Sequence, residues 1–254
     1  MKLATWNVNS IRVRLPHVLD WLQARRPDVL CLQETKVEDH AFPVNALREM
    51  GYSVCSNGQK TYNGVATLSL KPVRHVLTTL PGSGDEQKRF LAVDIGKTHI
   101  VNVYVPNGAE VGSEKFRYKL SWLRRLTKYL AEAMTRYNRV IVMGDYNIAP
   151  ADEDVYNPKG WEGSVLVSPR ERKAFQGLID LGLIDIFREF EQPDASYSWW
   201  DYRRAAFARN WGLRIDHILC SAALARQCTS SDIDTAPRGW ERPSDHAPVI
   251  AEFK

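Results

Sequence analysis

The sequence predicts an α/β fold of two facing, mostly antiparallel β-sheets, each covered on its outer side by helices. Two observations lead to this fold class: short apolar segments of strand length recur along all 254 residues, and only a few helical segments interrupt them. The strand-like segments between residues 52 and 105 follow one another closely, which indicates antiparallel hairpins rather than a doubly wound parallel sheet. No linker or low-complexity segment divides the chain, so we expect a single domain spanning residues 1–254.

The N-terminal part of the chain is predicted to form a strand, a helix and a second strand. Residues 2–8 have strand-like composition, and residues 15–24 carry apolar side chains at helical spacing behind a proline suited to a first helical turn. Pro27 ends this helix, and the apolar run 28–33 forms the second strand. Glu34 is therefore expected at the C-terminal end of a strand, where sites of α/β proteins are commonly found.

The remainder of the chain is predicted to combine short strands with one long helix. The next predicted strands are residues 52–56, 64–70, 74–80, 89–95 and 98–105. Leucines near helical spacing predict one amphipathic helix over residues 114–137, and the apolar run 139–147 predicts a buried strand after it. We expect the proline-rich residues 150–172 to form a loop that contacts substrate rather than core, followed by a helix over residues 171–181. The last predicted strands are residues 196–202, 213–220 and 249–253.

The composition excludes several functional classes. The formal net charge of +4 permits an anionic partner but does not require one. No run approaches the about 18 apolar residues that indicate a transmembrane helix, and the N-terminus shows no leader pattern, so we expect neither a membrane protein nor export. The four cysteines show no CxxC spacing and no histidine partners, which predicts reduced thiols and a cytoplasmic location.

Acidic and amide side chains collect at the polar ends of the strand-like runs. They are Asn7, Asn9, Glu34, Asp145, Asn147, Asp216, Asp245 and, beside the last of these, His246. Any one of them has an ordinary explanation, because Asn and Asp cap helices and form turns more often than they catalyse. Together they supply oxygen ligands for a hard cation, a group that can orient water, and donors for the charge on a phosphate, as phosphodiester hydrolysis requires. Magnesium is the natural ion, with manganese as the alternative.

Other hydrolytic and phosphoryl-transfer chemistries receive no support from the sequence. There is no His and Cys cluster for zinc, no GxxxxGK[ST] phosphate loop and no GxSxG nucleophile turn. Metal-assisted hydrolysis is the remaining interpretation.

Seven segments in order along the chain carry a resemblance to a known family. They are TWNVNSIR (5–12), LQETK (32–36), NVYVPNG (102–108), GDYNIAP (144–150), SWWDYR (198–203), GLRIDHIL (212–219) and SDHAP (244–248). On these motifs the chain resembles the exonuclease III and abasic-site endonuclease family, within the endonuclease/exonuclease/phosphatase superfamily, over essentially its whole length. The resemblance implies a four-layered α/β sandwich with the site at one edge of the two sheets.

The resemblance also implies a role for each matched residue. Glu34 is the expected main magnesium ligand, and the implied ligand set as a whole is Asn7, Glu34, Asp145, Asn147 and Asp245. Asp145 is expected to orient the attacking water, and Asn147 to hold Asp145 or the phosphate. His246 is expected to face the scissile phosphate, with Asp216 accepting its other ring N–H. Tyr104 and Asn107 are expected to contact phosphate oxygens, although a buried strand tyrosine remains an alternative for Tyr104.

A second group of residues is implied to choose the substrate. Trp199, Leu213 and Ile215 match positions that wall a small apolar pocket for a flipped-out abasic sugar, whereas Trp200 is better explained as an ordinary sheet aromatic. Arg170, Arg203 and Trp211 are expected in loops that border this pocket, where they would contact DNA phosphates or wedge the duplex. For each single arginine taken alone, a solvated surface position is the preferred interpretation.

The function implied by the resemblance is a magnesium-dependent DNA repair phosphodiesterase acting as a monomer. Its expected substrates are double-stranded DNA with abasic sites, cleaved on their 5′ side, and nicks or 3′ ends, from which blocking groups or terminal nucleotides are removed. Two alternatives stay open: a phosphoinositide or sphingomyelin phosphatase of the same superfamily, and a catalytically inactive regulator that binds nucleic acid. The complete set of polar site residues argues against the inactive regulator.

Overall fold

The computed structural model describes all residues from Met1 to Lys254. Fourteen strands are present: β1 (Lys2–Asn7), β2 (Val29–Gln33), β3 (Ser53–Asn57), β4 (Val65–Ser69), β5 (Val73–Leu77), β6 (Phe90–Ile95), β7 (Thr98–Tyr104), β8 (Val140–Asp145), β9 (Leu183–Asp185), β10 (Trp199–Trp200), β11 (Gly212–Leu213), β12 (Asp216–Ser221), β13 (Cys228–Ile233) and β14 (Val249–Phe253). Six α-helices join them: α1 (Ile11–Arg25), α2 (Val44–Glu49), α3 (Glu114–Arg136), α4 (Pro158–Trp161), α5 (Pro169–Ile179) and α6 (Ala222–Ala225).

Twelve of the strands form two six-stranded sheets. The first has the order β13-β14-β1-β2-β4-β3 and the second the order β5-β6-β7-β8-β12-β9, while β10 and β11 form a separate two-stranded ribbon. Each large sheet contains one parallel pair, β1 with β2 and β7 with β8, and its other pairs are antiparallel. The predicted α/β fold with two mostly antiparallel sheets is confirmed.

Three apolar clusters hold the layers together. Residues from both sheets, among them Leu3 and Ile141, form the cluster between the sheets. A second cluster joins the outer face of the second sheet to α3 and α5, and a third joins the outer face of the first sheet to α1 and α2. The order of layers is therefore helix, sheet, sheet, helix, and the central strands of each sheet are buried on both faces.

The two parallel pairs decide where the polar strand ends lie. In a parallel pair the C-terminal ends of both strands lie at the same edge, so Asn7 pairs with Gln33, directly before Glu34, and Tyr104 pairs with Asp145. Gly144 permits the second pair to form, because a Cβ atom at this position would lie 1.9 Å from the carbonyl oxygen of Val103. Residue 144 also has φ +153°, a conformation that L side chains rarely adopt.

Several predicted elements differ from those observed. The first helix begins at Ile11, so Pro16 lies inside it rather than in its first turn. The predicted strand 213–220 is interrupted, because the N–H of Arg214 donates to the carbonyl of Asp154 instead of continuing a ladder. The predicted strand 196–202 is reduced to its two central tryptophans.

The expectation that residues 150–172 hold no core is wrong. Val155, Leu166 and Val167 from this segment are buried with Leu213 and Ile215 in a small apolar cluster of their own. All four cysteines are unpaired in the structure. None of the helices combines the length and the apolar character needed to cross a membrane.

Candidate active site

The ends of β1, β2 and β8 bring three polar side chains together at one edge of the two sheets. The side-chain amide nitrogen of Asn7 donates to Glu34 Oε1 at 2.9 Å and to Asp145 Oδ2 at 2.8 Å. Ligand atoms of Glu34, Asp145 and His246 all lie within 4.8 Å of one another. The structure therefore joins residues that are more than two hundred positions apart in the chain into one acidic centre.

His246 is held by a chain of buried hydrogen bonds. Its Nδ1 lies 2.8 Å from Asp216 Oδ2, and Ser198 Oγ donates to the same carboxylate oxygen at 2.7 Å. Ser198 Oγ accepts in turn from the backbone N–H groups of Ile215 and Asp216. With Nδ1 engaged in this way, Nε2 points to the acidic centre and lies 3.8 Å from Asp145 Oδ2.

The charges in this centre shift one another's pKa values. Burial alone would lower the pKa of His246, but the negative charges of Asp216 and Asp145 outweigh burial and raise it to about 10. Burial raises the pKa of Asp145 to about 7, although the positive charge of His246 opposes the shift. Burial would also raise the pKa of Glu34, yet Lys36 and the Asn7 amide lower it overall. His246 is consequently a cation at neutral pH and Glu34 a carboxylate.

Tyr104, Asn107 and Asn147 border the acidic centre on the side of the second sheet. Burial, together with the negative charges of Glu34 and Asp145, raises the pKa of Tyr104, and the Arg89 guanidinium lies 4.5 Å from the centre of its ring. Asn107 Nδ2 donates to Asn147 Oδ1 at 3.0 Å, and the backbone N–H of Asn147 donates to Asp145 Oδ1 at 2.8 Å. Because its pKa is raised, the Tyr104 hydroxyl keeps its proton at neutral pH and can donate a hydrogen bond.

The backbone at these strand ends is in an unfavourable conformation. Glu34, Lys36 and Asn147 have φ values of 50°, 54° and 49°, in the left-handed region that non-glycine residues seldom occupy. Such conformations cost of the order of 1 kcal/mol each and persist only where surrounding contacts hold them. Surrounding contacts at the strand ends therefore hold these three residues, although positive φ values also occur elsewhere in the chain.

The donor set fits a hard divalent cation. Glu34 and Asp145 offer carboxylate oxygens a short distance apart, and oxygen ligands from one or two carboxylates are what magnesium usually takes from proteins. Among the other predicted ligands, Asn7 Oδ1 accepts one hydrogen bond from Asn9 N, and Asn147 Oδ1 accepts one from Asn107. Asn7 and Asn147 also donate to the carboxylates, and their predicted role as metal ligands stays a prediction.

Asp245 likewise has both carboxylate oxygens engaged. Oδ2 accepts from the Trp199 indole N–H at 3.0 Å, and Oδ1 accepts from the Asn9 side chain at 2.9 Å. Asp245 therefore joins the acidic centre to the predicted substrate pocket. Its predicted role as a metal ligand stays a prediction.

Two residues of the site were not given a role from the sequence. Lys36 Nζ lies 2.8 Å from Glu34 Oε2 and also contacts Asn9 Oδ1, so it neutralises the main acidic ligand candidate. Ser198 orients Asp216, as described above. Both lie inside the quoted motifs, but a serine or lysine at a motif end is most often solvated, and only the fold shows their contacts.

An aromatic pocket of about 400 Å³ opens beside Trp199. It is lined by Tyr156, Trp161, Trp199, Asp201, Arg203, Arg204, Ala206 and Trp211. The Trp211 and Tyr156 rings stack with centroids 5.7 Å apart, and Arg203 forms an ion pair with Asp201 at 2.6 Å. Trp199, Trp211 and Arg203 are thus brought together as the sequence predicted, next to the acidic centre.

Three other predicted substrate contacts lie elsewhere. Leu213 and Ile215 are buried in the cluster behind Trp199, so they do not line the open pocket. Arg170 is exposed on the first turn of α5, where its guanidinium lies 5.6 Å from the ring centre of Phe116 on α3. The expected loop position of Arg170 beside the aromatic pocket is thus not observed, while its predicted contact with DNA stays a prediction. Trp200 is buried, as expected of a sheet aromatic.

Comparison with known proteins relates this geometry to a family. The sequence profile of the Endonuclease/Exonuclease/phosphatase family matches residues 4–246. The chain belongs to this family. Exodeoxyribonuclease III from Haemophilus influenzae is 40% identical to it, with each chain covered completely. The predicted family and the predicted class of enzyme, a phosphodiester hydrolase, are confirmed.

Solved structures agree with this assignment. The 3′-5′ exonuclease NExo from Neisseria meningitidis superposes with a TM-score of 0.98 at 46% identity, with both chains covered completely. A Neisseria NExo structure described as a 3′ phosphatase bound to a product DNA hairpin has the same TM-score and identity and covers 100% of this chain and 99% of its own. An AP endonuclease from Archaeoglobus fulgidus reaches a TM-score of 0.96 at 39% identity, covering 100% of this chain and 99% of its own.

Proposed function

We propose that the protein is a magnesium-dependent DNA repair nuclease. It hydrolyses the phosphodiester 5′ to abasic sites in double-stranded DNA, and it removes 3′-blocking groups or 3′-terminal nucleotides at nicks and ends. The observation that carries the proposal is the Glu34, Asp145 and His246 centre, built from the motifs shared with a family of phosphodiester hydrolases. The relatives named above, which include an exodeoxyribonuclease III and an AP endonuclease, support DNA as the substrate.

Glu34 and Asp145 are the residues proposed to hold the metal ion. Magnesium bound there would stabilise negative charge on the phosphate oxygens and would also favour the ionised form of both carboxylates. Asn7 keeps the two carboxylates at a fixed separation by donating to both. Lys36 forms an ion pair with Glu34, so its positive charge partly offsets the negative charge of this proposed ligand.

The protein's own residues are proposed to act on the two sides of the scissile phosphate. Asp145 orients the attacking water, and the Asn147 N–H fixes the carboxylate in the required direction. His246, which is positively charged and oriented by Asp216, donates from Nε2 to a phosphate oxygen. Tyr104 and the Asn107 amide offer further donors, and the high pKa of Tyr104 keeps its proton in place.

The aromatic pocket is proposed to receive the damaged part of the DNA. Trp199 faces the pocket while its indole N–H is held by Asp245, so the ring has a fixed orientation beside the catalytic centre. Arg203 and Trp211 supply a positive charge and a stacking surface for the backbone and bases nearby. Leu213 and Ile215 support Trp199 from behind. A monomeric state, a single domain and a cytoplasmic location, the last in keeping with the unpaired cysteines, complete the proposal.

Cleavage of two defined DNA duplexes tests the proposal. One carries a single abasic-site analogue, and the other a nick blocked by a 3′-phosphate, each incubated with magnesium or with EDTA. Wild type is compared with Asp145→Asn and with the control Asp194→Asn, which makes the same chemical change at an exposed position that has no ion pair. We expect cleavage that requires magnesium, is lost in Asp145→Asn and is unchanged in Asp194→Asn.

The alternatives give different outcomes in the same experiment. Tight DNA binding without cleavage of either duplex contradicts the proposal and favours the inactive regulator. Hydrolysis of phosphoinositide or sphingomyelin vesicles without DNA cleavage favours the lipid phosphatase. The ratio of the two DNA cleavage rates measures the share of abasic-site incision against 3′-end processing.

A further inference from the structure

A lysine and a glutamate outside the proposed chemistry are completely buried beside the active site. Lys119 of α3 and Glu171 of α5 both have side chains with 0% exposure, and Lys119 Nζ contacts Glu171 Oε1. Long charged side chains are almost never fully buried unless they are paired. The contacts of this pair with the neighbouring backbone show which parts of the structure it holds in place.

The remaining donors of Lys119 bind the two loops that carry site residues. Nζ donates to the backbone carbonyl of Asn147 at 2.6 Å, in the loop after β8. It also donates to the backbone carbonyl of Asn107 at 3.1 Å, in the loop after β7. One ammonium group thus joins both loops to each other and, through Glu171, to α5.

The opposite end of the pair is fixed by the turn before α5. Glu171 Oε1 accepts from the backbone N–H of Leu166 at 3.0 Å. Its Oε2 accepts from the backbone N–H and the hydroxyl of Ser168, at 3.2 and 2.5 Å. Because Ser168 caps α5, the position of Lys119 Nζ is tied to two helices and does not depend on the site loops themselves.

Asn147 connects Lys119 to Asp145, the carboxylate proposed to orient water. Asn147 donates its backbone N–H to Asp145 Oδ1 and accepts at Oδ1 from Asn107. Asn147 also has the left-handed φ of 49°, which needs surrounding contacts to persist. The contact to its carbonyl is a restraint that acts on this strained residue, two positions from the carboxylate proposed to orient water.

Stability alone does not require a buried ion pair. Taking two charges out of water is costly, and apolar residues of similar volume are often neutral or stabilising in the same place. The pair is therefore better explained by the geometry it imposes than by the free energy of unfolding it contributes.

We propose that Lys119 is a positioning residue for the hydrolytic step, and that Glu171 holds it so that the Asn107 and Asn147 loops keep Asp145 in the reactive orientation. This inference rests on the proposed nuclease function for its kinetic test. Displacements of about 1 Å in an active site can cost of the order of 100-fold in rate. Loss of the pair is accordingly expected to lower kcat far more than it changes KM.

The test replaces both members of the pair at once. Lys119→Met alone would leave an unpaired buried carboxylate and could fail to fold, whereas the double variant Lys119→Met/Glu171→Gln removes both charges at similar volume and keeps a side-chain acceptor for the turn before α5. Leu123→Met, a change of similar size at a buried position of the same helix, is the control for repacking. We expect the double variant to be folded by circular dichroism and by a cooperative thermal transition.

The kinetic readout separates positioning from support of the fold. We expect kcat on the abasic duplex to fall by about 10- to 100-fold with KM within about threefold, and Leu123→Met to match wild type. The same double change in an Asp145→Ala background should cost much less of the residual rate, because the carboxylate that the pair positions is then absent. Wild-type kcat in the folded double variant, or equal losses in both backgrounds, would overturn the inference.

Hydrogen exchange gives a readout that needs no substrate. The backbone N–H groups of Asn147 and Ala149 are hydrogen-bonded to Asp145 and to Leu166. We expect peptides covering residues 105–109 and 145–149 to exchange faster in the double variant, with the strands of the sheets unchanged. Unchanged exchange in these loops contradicts the inference even if wild type cleaves no DNA, and the absence of DNA cleavage by wild type contradicts only the proposed function.

Discussion

Two buried histidine–aspartate pairs lie at opposite ends of the second sheet, and we propose that only the histidine of one pair, His246, is reactive. His246 Nδ1 lies 2.8 Å from Asp216, and His99 Nδ1 lies 2.6 Å from Asp94. Both rings are about equally buried, at 4% and 5% exposure. His99 lies near the start of β7, and Tyr104 of the active site ends the same strand. The pairing and burial of the two histidines are therefore nearly the same.

The difference lies at the second ring nitrogen. His99 Nε2 is 2.7 Å from the Tyr129 hydroxyl, and its ring stacks on Tyr137 with centroids 4.4 Å apart. His246 Nε2 has no such neutral partner and points to the carboxylate of Asp145. A histidine–aspartate pair alone is thus no indication of catalysis, and we propose that the group facing Nε2 distinguishes the reactive histidine from the structural one.

The largest expected effect is the loss of activity in His246→Gln. The glutamine amide can donate to Asp216 but carries no positive charge and cannot donate a proton to a phosphate oxygen. We expect kcat on the abasic duplex to fall by about 1,000-fold, as is usual for loss of a general acid or of a charged donor. A loss smaller than tenfold would contradict the proposed role of His246 Nε2 as the donor to the phosphate.

Asp216→Asn is expected to have a smaller effect of the same kind. The asparagine keeps one acceptor for Ser198 and His246 but removes the negative charge that favours the protonated imidazole. We expect kcat to fall by about 100-fold with the fold intact, measured by the same cleavage assay and by thermal unfolding. Asp94→Asn is the matched control at the other pair and should leave kcat within about twofold.

A third buried histidine, His217, sharpens the comparison through its pH dependence. His217 Nδ1 accepts from Arg214, and Nε2 lies 2.9 Å from the Ile148 carbonyl. Burial and, to a smaller extent, the positive charge of Arg214 lower the pKa of His217 to about 4, so the imidazole is neutral at pH 7. Below pH 6.5 His217 takes up a proton in the unfolded chain but not in the folded one. The free energy of unfolding therefore decreases as the pH is lowered from 6.5 to about 4.

This contribution can be measured by denaturant unfolding. Between pH 7.5 and pH 5 we expect the His217 side chain to cost about 2 kcal/mol of the free energy of unfolding. His217→Gln, whose amide reproduces the neutral imidazole's acceptor and donor, should lose correspondingly less over the same range. An identical pH dependence in both proteins would show that His217 takes up its proton in the folded state.

The smallest expected effect concerns the structural pair. His99→Gln cannot bridge Asp94 and Tyr129 at the same time, so one buried partner loses a hydrogen bond. We expect the free energy of unfolding to fall by about 1 to 2 kcal/mol, from urea titration, with no change in kcat. Reduced activity at full stability would place His99 in the active site after all.

The sequence predicted the strongly periodic elements and the motif residues best. The long helix was expected over residues 114–137 and is observed as Glu114–Arg136, because its apolar stripe is long and regular. By contrast β13 was not predicted, since the segment Cys228–Ile233 is an edge strand of mostly polar residues without apolar alternation. The spacing of apolar residues therefore predicts a helix or strand only where one face of that element is buried against the core.

The same reasoning explains which parts of the candidate site were missed. Glu34, Asp145 and His246 could be proposed because motifs mark them, whereas Lys119 lies within an amphipathic helix where a lysine is normally solvated. A signal existed: Lys119 lies three residues after Phe116, on the buried stripe, and Glu171 forms a capping box with Ser168. Neither pattern shows that the two side chains meet, because that contact depends on how α3 and α5 pack.

Single-turnover cleavage of the abasic duplex by four proteins tests the central comparison most directly. Wild type, His99→Gln, His246→Gln and the double variant His99→Gln/His246→Gln are assayed side by side at saturating magnesium, with unfolding free energies measured in parallel. We predict that His99→Gln cleaves at the wild-type rate with reduced stability, and that the double variant is as slow as His246→Gln alone. A slow His99→Gln, or an active His246→Gln, would contradict the assignment of His246 as the reactive histidine.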